Sequence, residues 1–167
     1  MTRRIATLLI AAFGCAGCDQ STKAMARHFL NPGEKVSVLG DTLRLSLIEN
    51  SGAFLSLGHS LPASVRDILF IGVVPLILIA FAAYFASSKS FRADKVFAAG
   101  LIIGGGLGNL VDRVMNDGRV YDFLNVGIGT IRTGIFNVAD MALMFAIAYL
   151  IFANDGLARP KRRQAPK

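Results

Sequence analysis

The chain has 167 residues, of which 53% are hydrophobic and only 17% are charged, and its formal net charge is +7. Soluble domains carry about 25% charged residues, so the composition argues against a water-soluble globule and excludes a disordered chain. The length predicts a single domain, residues 1–167. Cys15 and Cys18 lie too close on one helix to pair, and His28 and His59 are far apart, so we expect neither a disulfide framework nor a metal site.

The first apolar stretch follows Arg3 and Arg4 and predicts a membrane helix over about residues 5–23. It reaches the length needed for the ~30 Å hydrocarbon core only if the helix continues into the polar residues after Cys18. Asp19 and Lys23 lie four residues apart, so a helix places them on one face, where they can form an ion pair.

Residues 1–18 also look like a cleavable bacterial lipoprotein signal, with two arginines, an apolar run and Cys-Ala-Gly-Cys at 15–18. On that interpretation Cys18 carries lipid and the protein is a structural lipoprotein. Cleavage would leave three spans and place Asp19 at a new terminus. We therefore favour Cys15 and Cys18 as small residues that pack between helices.

A small outer β-element is predicted over about residues 34–58. Val36 and Val38, and then Leu43, Leu45 and Leu47, alternate with polar residues, which is the period of a strand. Gly40-Asp41 is typical of the turn between two such strands. We expect this element to rest on the periplasmic face of the membrane.

Two further spans are predicted at about residues 68–88 and 96–113. The first of them is uncharged and long enough to cross the membrane. In the second, Gly100, Gly104 and Gly108 recur every four residues and form a smooth stripe that lets another helix approach closely. We favour packing inside the bundle over a dimer interface, and we expect a monomer.

The fourth span is predicted at about residues 134–154 and contains Asp140, three residues after Asn137. Asn109 and Asp112 show the same spacing at the end of the third span, with Arg113 next. Such pairs either hold a bundle together through hydrogen bonds or form a functional site. The two interpretations stay open for Asp19 with Lys23 and for Asp112 with Arg113. A site is favoured for Asp140, since no basic residue lies within one turn of it.

The distribution of basic residues predicts the orientation of this four-transmembrane-helix bundle. Ten of the 18 Lys and Arg residues lie in three short segments, at 1–4, 89–95 and 155–167. Dense positive charge marks the cytoplasmic side, so both termini are expected inside, with the basic tail 155–167 near anionic headgroups. The net charge is therefore a signal of topology, and no nucleic-acid partner is expected.

This topology brings four acids to one level. Asp19 and Asp112 end outward-running spans, Asp140 lies near the start of the inward-running one, and Asp122 lies in the outer loop before it. Ionisable groups that converge at one membrane depth indicate a functional site. A proton-relaying transporter using Asp112 and Asp140 is an alternative, but it requires a path across the membrane, and no acid lies in mid-span.

Five segments resemble, in order, the motifs of the lipoprotein signal peptidases (signal peptidase II), which are membrane aspartic proteases. They cover roughly residues 5–155, and each motif is weak alone. The segments are Asp19-Gln20-Ser21-Thr22-Lys23, Asn50-Ser51-Gly52, Gly105-Gly106-Leu107-Gly108-Asn109-Leu110-Val111-Asp112-Arg113, Val120-Tyr121-Asp122-Phe123 and Phe136-Asn137-Val138-Ala139-Asp140.

The resemblance implies that Asp122 and Asp140 are a catalytic pair that shares one proton and activates a water. It implies an enzyme of the bacterial inner membrane, with its active site facing the periplasm and with no metal, nucleotide or other cofactor. Its partners are diacylglyceryl-modified prolipoproteins, cut just before the lipidated cysteine, and membrane lipid. The residues implied to shape the site and hold substrate are Asp19, Lys23, Asn50, Gly52, Gly108, Asn109, Asp112, Arg113, Asn137 and Ala139.

Overall fold

The computed structural model describes residues 1–52, 58, 60–88 and 90–153. The predicted cytoplasmic tail, the last residue of the fourth predicted span, and residues 53–57 of the predicted β-element lie outside these residues. His59 lies outside them as well.

The described residues form long apolar helices and one small sheet. Helix α1 covers Thr2–Phe29, α2 covers Ala63–Ser87 and α3 covers Ala93–Met115, and each is long and apolar enough to cross a membrane. Helix α4, Val138–Phe152, is apolar but shorter, with 15 residues. Large apolar side chains such as those of Ile77, Phe145 and Ile151 are exposed on the outside, as is typical of a surface that faces lipid.

Several helix ends lie a few residues from their predicted positions, with α2 and α3 beginning earlier, at Ala63 and Ala93, and two of the differences have clear local reasons. Helix α1 continues to Phe29, past the predicted end at residue 23, because Pro32 is the first proline after that point and Arg27 and His28 suit the negative end of the helix dipole. Helix α4 begins at Val138 and not at 134, because Asn137 caps it. The Asn137 side chain accepts a hydrogen bond from the Asp140 N–H at 2.9 Å.

Helix α2 has wider π-helical turns at Ile68–Val73. Pro75 lies two residues after Val73 and has no N–H to donate to the preceding turn. A proline inside a helix disturbs the regular hydrogen bonds before it, which accounts for the irregular turns.

The sheet has four antiparallel strands in the order β1-β2-β3-β4. Strand β1 covers Val36–Val38, β2 covers Leu43–Asn50, β3 covers Val120–Ile128 and β4 covers Ile131–Arg132. The predicted hairpin of β1 and β2 is confirmed, but the prediction that Asp122 lies in a loop is wrong. Asp122 lies within β3, opposite Ile48 of β2.

The glycine stripe of α3 packs against α1, which confirms the predicted internal contact. A Cβ atom added at Gly100 would lie 2.6 Å from the Ala11 Cβ, and one at Gly104 would lie 2.7 Å from the Cys15 Cβ. Cys15 is therefore buried between the helices. The predicted packing role of Cys18 is wrong, because Cys18 is exposed.

Two apolar clusters hold these elements in place. One joins α1, α2 and α3 through Leu8, Phe85 and Val96. The other joins the last turns of α1 to the sheet through Ala26 and Phe123. The second cluster holds the sheet over one end of the helices, and this brings β3 next to the start of α4.

Candidate active site

The carboxyl groups of Asp122 and Asp140 meet around one asparagine. Asn137 Nδ2 donates a hydrogen bond to Asp122 Oδ1 at 2.6 Å, and the Asn137 backbone N–H donates to Asp140 Oδ2 at 3.3 Å. Asp122 is 1% exposed and Asp140 is 5% exposed. Asp122 comes from strand β3 and Asp140 from the first turn of α4. These two elements approach Asn137 from opposite sides and so bring two buried acids together.

Both acids line a small cavity of about 10 Å³ together with Asn50, Asn109 and Arg113. This volume is about the minimum that holds one water molecule. Gly52 and Val120 complete its wall.

Asp122 is held by amides on both oxygens. Asn50 Nδ2 donates to Asp122 Oδ2 at 2.8 Å, opposite the contact with Asn137. Burial raises the pKa of Asp122 to about 7, the hydrogen bonds from Asn50 and Asn137 oppose this rise, and the negative charge of Asp140 adds to it. A carboxyl group with a pKa near 7 can hold or release a proton at neutral pH.

Arg113 reaches the same cavity from the last turn of α3. Its guanidinium donates to the Gly52 carbonyl at 2.6 Å and to the Asn109 carbonyl at 3.2 Å, and it lies 4.6 Å from the centre of the Phe70 ring. Its Nε has no hydrogen-bond partner among the described residues. Arg113 forms no ion pair with its neighbour Asp112 there, since consecutive residues on a helix point in different directions.

A charged cluster lies behind the pair of acids. Lys23 Nζ lies 2.7 Å from Asp19 Oδ2, which confirms the predicted pair, and 2.9 Å from Asp112 Oδ2. It also donates to Asn109 Oδ1 at 2.9 Å. Asn109 Nδ2 donates in turn to Asp140 Oδ1 at 3.0 Å, so the cluster is connected to the acids through one amide.

Gly108 and Ala139 both contact Asp19. A Cβ atom at Gly108 would lie 2.5 Å from Asp19 Oδ2, and the Ala139 N–H donates to Asp19 Oδ1 at 2.9 Å. These two small residues let α1 approach α3 and α4 closely enough for the network to form. Every site residue that the sequence predicts therefore lies in one connected region.

Two contributors were missing from the predicted site. Gln20 Nε2 donates to Asp112 Oδ1 at 2.8 Å, and the Tyr121 N–H donates to Asp112 Oδ2 at 3.0 Å. Gln20 follows Asp19 and Tyr121 precedes Asp122, both inside the quoted motifs. This position next to a predicted site residue is the only indication in the sequence that they belong to the site. Within the described residues, no group of three or more His, Cys, Asp or Glu side chains is arranged to hold a metal ion.

Comparison with known proteins identifies the family. The family model described as Signal peptidase (SPase) II matches residues 11–154. The chain belongs to the signal peptidase II family. It is therefore a protease of lipoprotein processing, and the resemblance found in the sequence is confirmed.

Relatives and solved structures agree with this assignment. A lipoprotein signal peptidase of Treponema denticola is 38% identical over 127 residues, which cover 73% of each chain. One of Treponema pallidum is 37% identical and covers 81% of this chain and 75% of its own. A solved bacterial membrane enzyme, determined in meso at 2.3 Å, is similar with a TM-score of 0.79 and 27% identity, over 97% of this chain and 95% of its own.

Proposed function

We propose that this signal peptidase II is an aspartic endopeptidase that removes signal peptides from diacylglyceryl-modified prolipoproteins, cutting just before the lipidated cysteine. The observation that carries the proposal is the meeting of Asp122 and Asp140 around Asn137 at one cavity. The relatives named lipoprotein signal peptidase support the substrate class.

In this mechanism the two acids work with one shared proton. Two carboxyl groups so close resist double ionisation, and burial raises the pKa of Asp122 to about 7. The ionised carboxylate takes a proton from a water, and the water oxygen bonds to the scissile carbonyl carbon. The protonated partner gives its proton to the carbonyl oxygen. As the C–N bond breaks, the cysteine nitrogen takes a proton from the carboxyl that acted as base, and one hydroxyl of the tetrahedral intermediate returns its proton to the other carboxylate, so the pair again holds one proton. The pair titrates as a unit, so neither role is assigned to one residue.

We further propose a four-span bundle in the bacterial inner membrane, with α4 as the fourth span. Arg4 donates to the Ser88 carbonyl, which joins the start of α1 to the end of α2. Arg3 and Arg92 lie near this side, while the site lies near the opposite helix ends. Positive charge favours the cytoplasmic side, so the termini face the cytoplasm and the site faces the periplasm.

Arg113, Asn50 and Gly52 are proposed to hold the substrate backbone, because they line the cavity beside the acids. Among the described residues the Arg113 Nε has no partner, and we propose that it donates to a substrate carbonyl. The remaining predicted residues are proposed to shape the site: Asp19, Lys23, Gly108, Asn109, Asp112, Asn137 and Ala139. Membrane lipid surrounds the bundle, and we propose that the enzyme acts as a monomer.

The experiment is the incubation of purified enzyme with a prolipoprotein carrying diacylglycerol on its cysteine, and with the same preprotein lacking the lipid. Asp122→Asn and Asp140→Asn are expected to abolish cleavage while still inserting into the membrane. Asp117→Asn is the matched control, because Asp117 is exposed with a φ of +46° that asparagine tolerates. Cleavage by either site variant, or equal cleavage of the unlipidated preprotein, would contradict the proposal.

A further inference from the structure

The ammonium group of Lys23 uses all its hydrogen-bond donors inside the protein. Lys23 is 2% exposed. Its Nζ contacts Asp19 Oδ2 at 2.7 Å, Asp112 Oδ2 at 2.9 Å and Asn109 Oδ1 at 2.9 Å. An ammonium group has three N–H donors and no acceptor. Each donor therefore already has an acceptor, and none is left for a substrate carbonyl or a lipid headgroup.

Lys23 determines which end of the Asn109 amide faces Asp140. A side-chain amide has an oxygen that accepts and an NH2 that donates. Because an ammonium group only donates, the end of Asn109 that faces Lys23 has to be the oxygen. The NH2 end therefore faces Asp140, 3.0 Å from Oδ1. Asn137 Nδ2 donates to the same Asn109 oxygen at 3.1 Å and reinforces this orientation.

The two other asparagines of the site are oriented by the same logic. Asn137 Oδ1 accepts from the Asp140 N–H at 2.9 Å, and Asn50 Oδ1 accepts from the Gly52 N–H at 2.8 Å. A backbone N–H only donates, so both NH2 groups are left to face Asp122. Each acid thus meets amide donors whose direction is set by a group outside the pair.

We propose that Lys23 is a positioning residue that holds the Asn109 amide with its NH2 toward Asp140, and that Lys23 does not bind substrate. This inference rests on the proposed function, since it takes Asp122 and Asp140 as the catalytic pair. Without Lys23, the carboxylates of Asp19 and Asp112 lose the cation that they share, and the oxygens that faced it become acceptors that draw the Asn109 NH2 away. The Asn109 oxygen would then face Asp140, and a donor to the ionised carboxylate would become a repelling acceptor.

The charge of Lys23 also acts on the pair through space, and the test has to separate the two effects. Asp140 is electrostatically coupled to Asp122 of β3, to Arg113 of α3, and to Asp19 and Lys23 of α1. Lys23→Gln and Lys23→Met both remove the charge and have similar lengths. Only the glutamine keeps an N–H donor for Asn109 and the two acids behind it.

The experiment measures kcat/KM against pH on a lipidated preprotein for both variants, in the native background and in Asn109→Ala. Loss of a hydrogen bond to a charged group moves a titration by about one pH unit or more. The acid limb is the low-pH side of this profile, where kcat/KM falls as the general base becomes protonated. Its midpoint is expected to lie at least about one pH unit higher for Lys23→Met than for Lys23→Gln. In the Asn109→Ala background the two variants are expected to give the same limb, because no amide remains to be oriented.

Equal limbs for Lys23→Met and Lys23→Gln in the native background would overturn the inference, as would the same difference persisting in Asn109→Ala. If Lys23→Met does not accumulate in the membrane, Lys23→Gln decides alone. Its acid limb is expected within about half a unit of that of the unmodified enzyme, and a larger displacement would show that Lys23 acts by its charge. The proposed function fails differently, through cleavage by Asp122→Asn or Asp140→Asn.

Discussion

Among the described residues, amide donors and no cations are in direct contact with the two carboxyl groups of the pair. Asn50 and Asn137 donate to Asp122, and Asn109 and the Asn137 backbone donate to Asp140. Amides stabilise an ionised carboxylate without fixing it as firmly as a salt bridge would. This leaves the pair able to gain and lose a proton near neutral pH.

The raised pKa of Asp122 predicts how activity depends on pH. The pKa of Asp122, raised to about 7, helps to keep one proton on the pair at neutral pH. As the pH rises above that point the pair loses this shared proton and has none left to donate to the substrate carbonyl. We expect kcat/KM to fall about tenfold per pH unit above that point, as measured on a lipidated preprotein. Asp117→Asn is expected to show the same profile. A rate that stays constant from pH 6 to pH 9 would contradict this account.

Some contacts at this scale could be predicted and others could not. The Asp19 and Lys23 pair is local, four residues apart on one helix, and the sequence predicts it. The contacts of Lys23 with Asp112 and Asn109 join two helices about 90 residues apart in sequence. No spacing rule reaches that far, and the local candidate Arg113 was the wrong partner for Asp112.

At the scale of elements, apolar runs predict the helices well, but polar residues decide where they end. The Asn137 cap places Asp140 in the first turn of α4, and this sets the height of the acid in the site. Strand β3 was missed because its pairing partner β2 lies about 70 residues earlier. A short segment with an acid among apolar residues is not recognisable as a strand without that partner.

The close approach of α1 and α3 depends on glycine. In Gly100→Ala, the new Cβ would lie 2.6 Å from the Ala11 Cβ and 2.7 Å from the Leu8 carbonyl oxygen, so the helices have to separate. We expect a loss of about 1–3 kcal/mol in the free energy of unfolding, measured by thermal unfolding in detergent.

Gly14→Ala is the matched control for this change, because nothing lies within 4 Å of a Cβ atom at Gly14. Alanine favours a helix over glycine by up to about 1 kcal/mol, so this variant is expected to be as stable as the native chain or more so. Equal destabilisation by both variants would show that the α1–α3 contact does not depend on the stripe.

For the whole molecule, the distribution of charge and the positions of four acids predict that these acids converge, and the structure brings them into one connected network. The sequence predicts this because helix direction alternates from span to span. The end of one span and the start of the next therefore lie on the same side of the membrane, even when they are far apart in sequence. Charge and spacing alone could not predict which acids meet side by side, and only the resemblance implied the pair of Asp122 and Asp140. That outcome depends on the sheet, which brings Asp122 over the start of α4.

The orientation in the membrane can be checked by labelling single cysteines in a Cys15→Ala and Cys18→Ala background. Ser37→Cys lies in β1 and Ser90→Cys lies before α3, and both positions are exposed. We expect a membrane-impermeant maleimide to label position 37 in intact spheroplasts, and to label position 90 only in inside-out vesicles. Labelling of both positions from the same side would contradict the proposed topology.

The most direct test of the central claim compares the two single Asp→Asn variants with the double variant. Residues that act as one catalytic unit lose activity together, so removal of either costs about as much as removal of both. We predict that Asp122→Asn, Asp140→Asn and the double variant all leave a lipidated preprotein uncleaved, with a rate no higher than that of a control without enzyme. Activity lost in two separate multiplicative steps, or a single variant that cleaves at the native rate, would show that the two acids do not share the reaction.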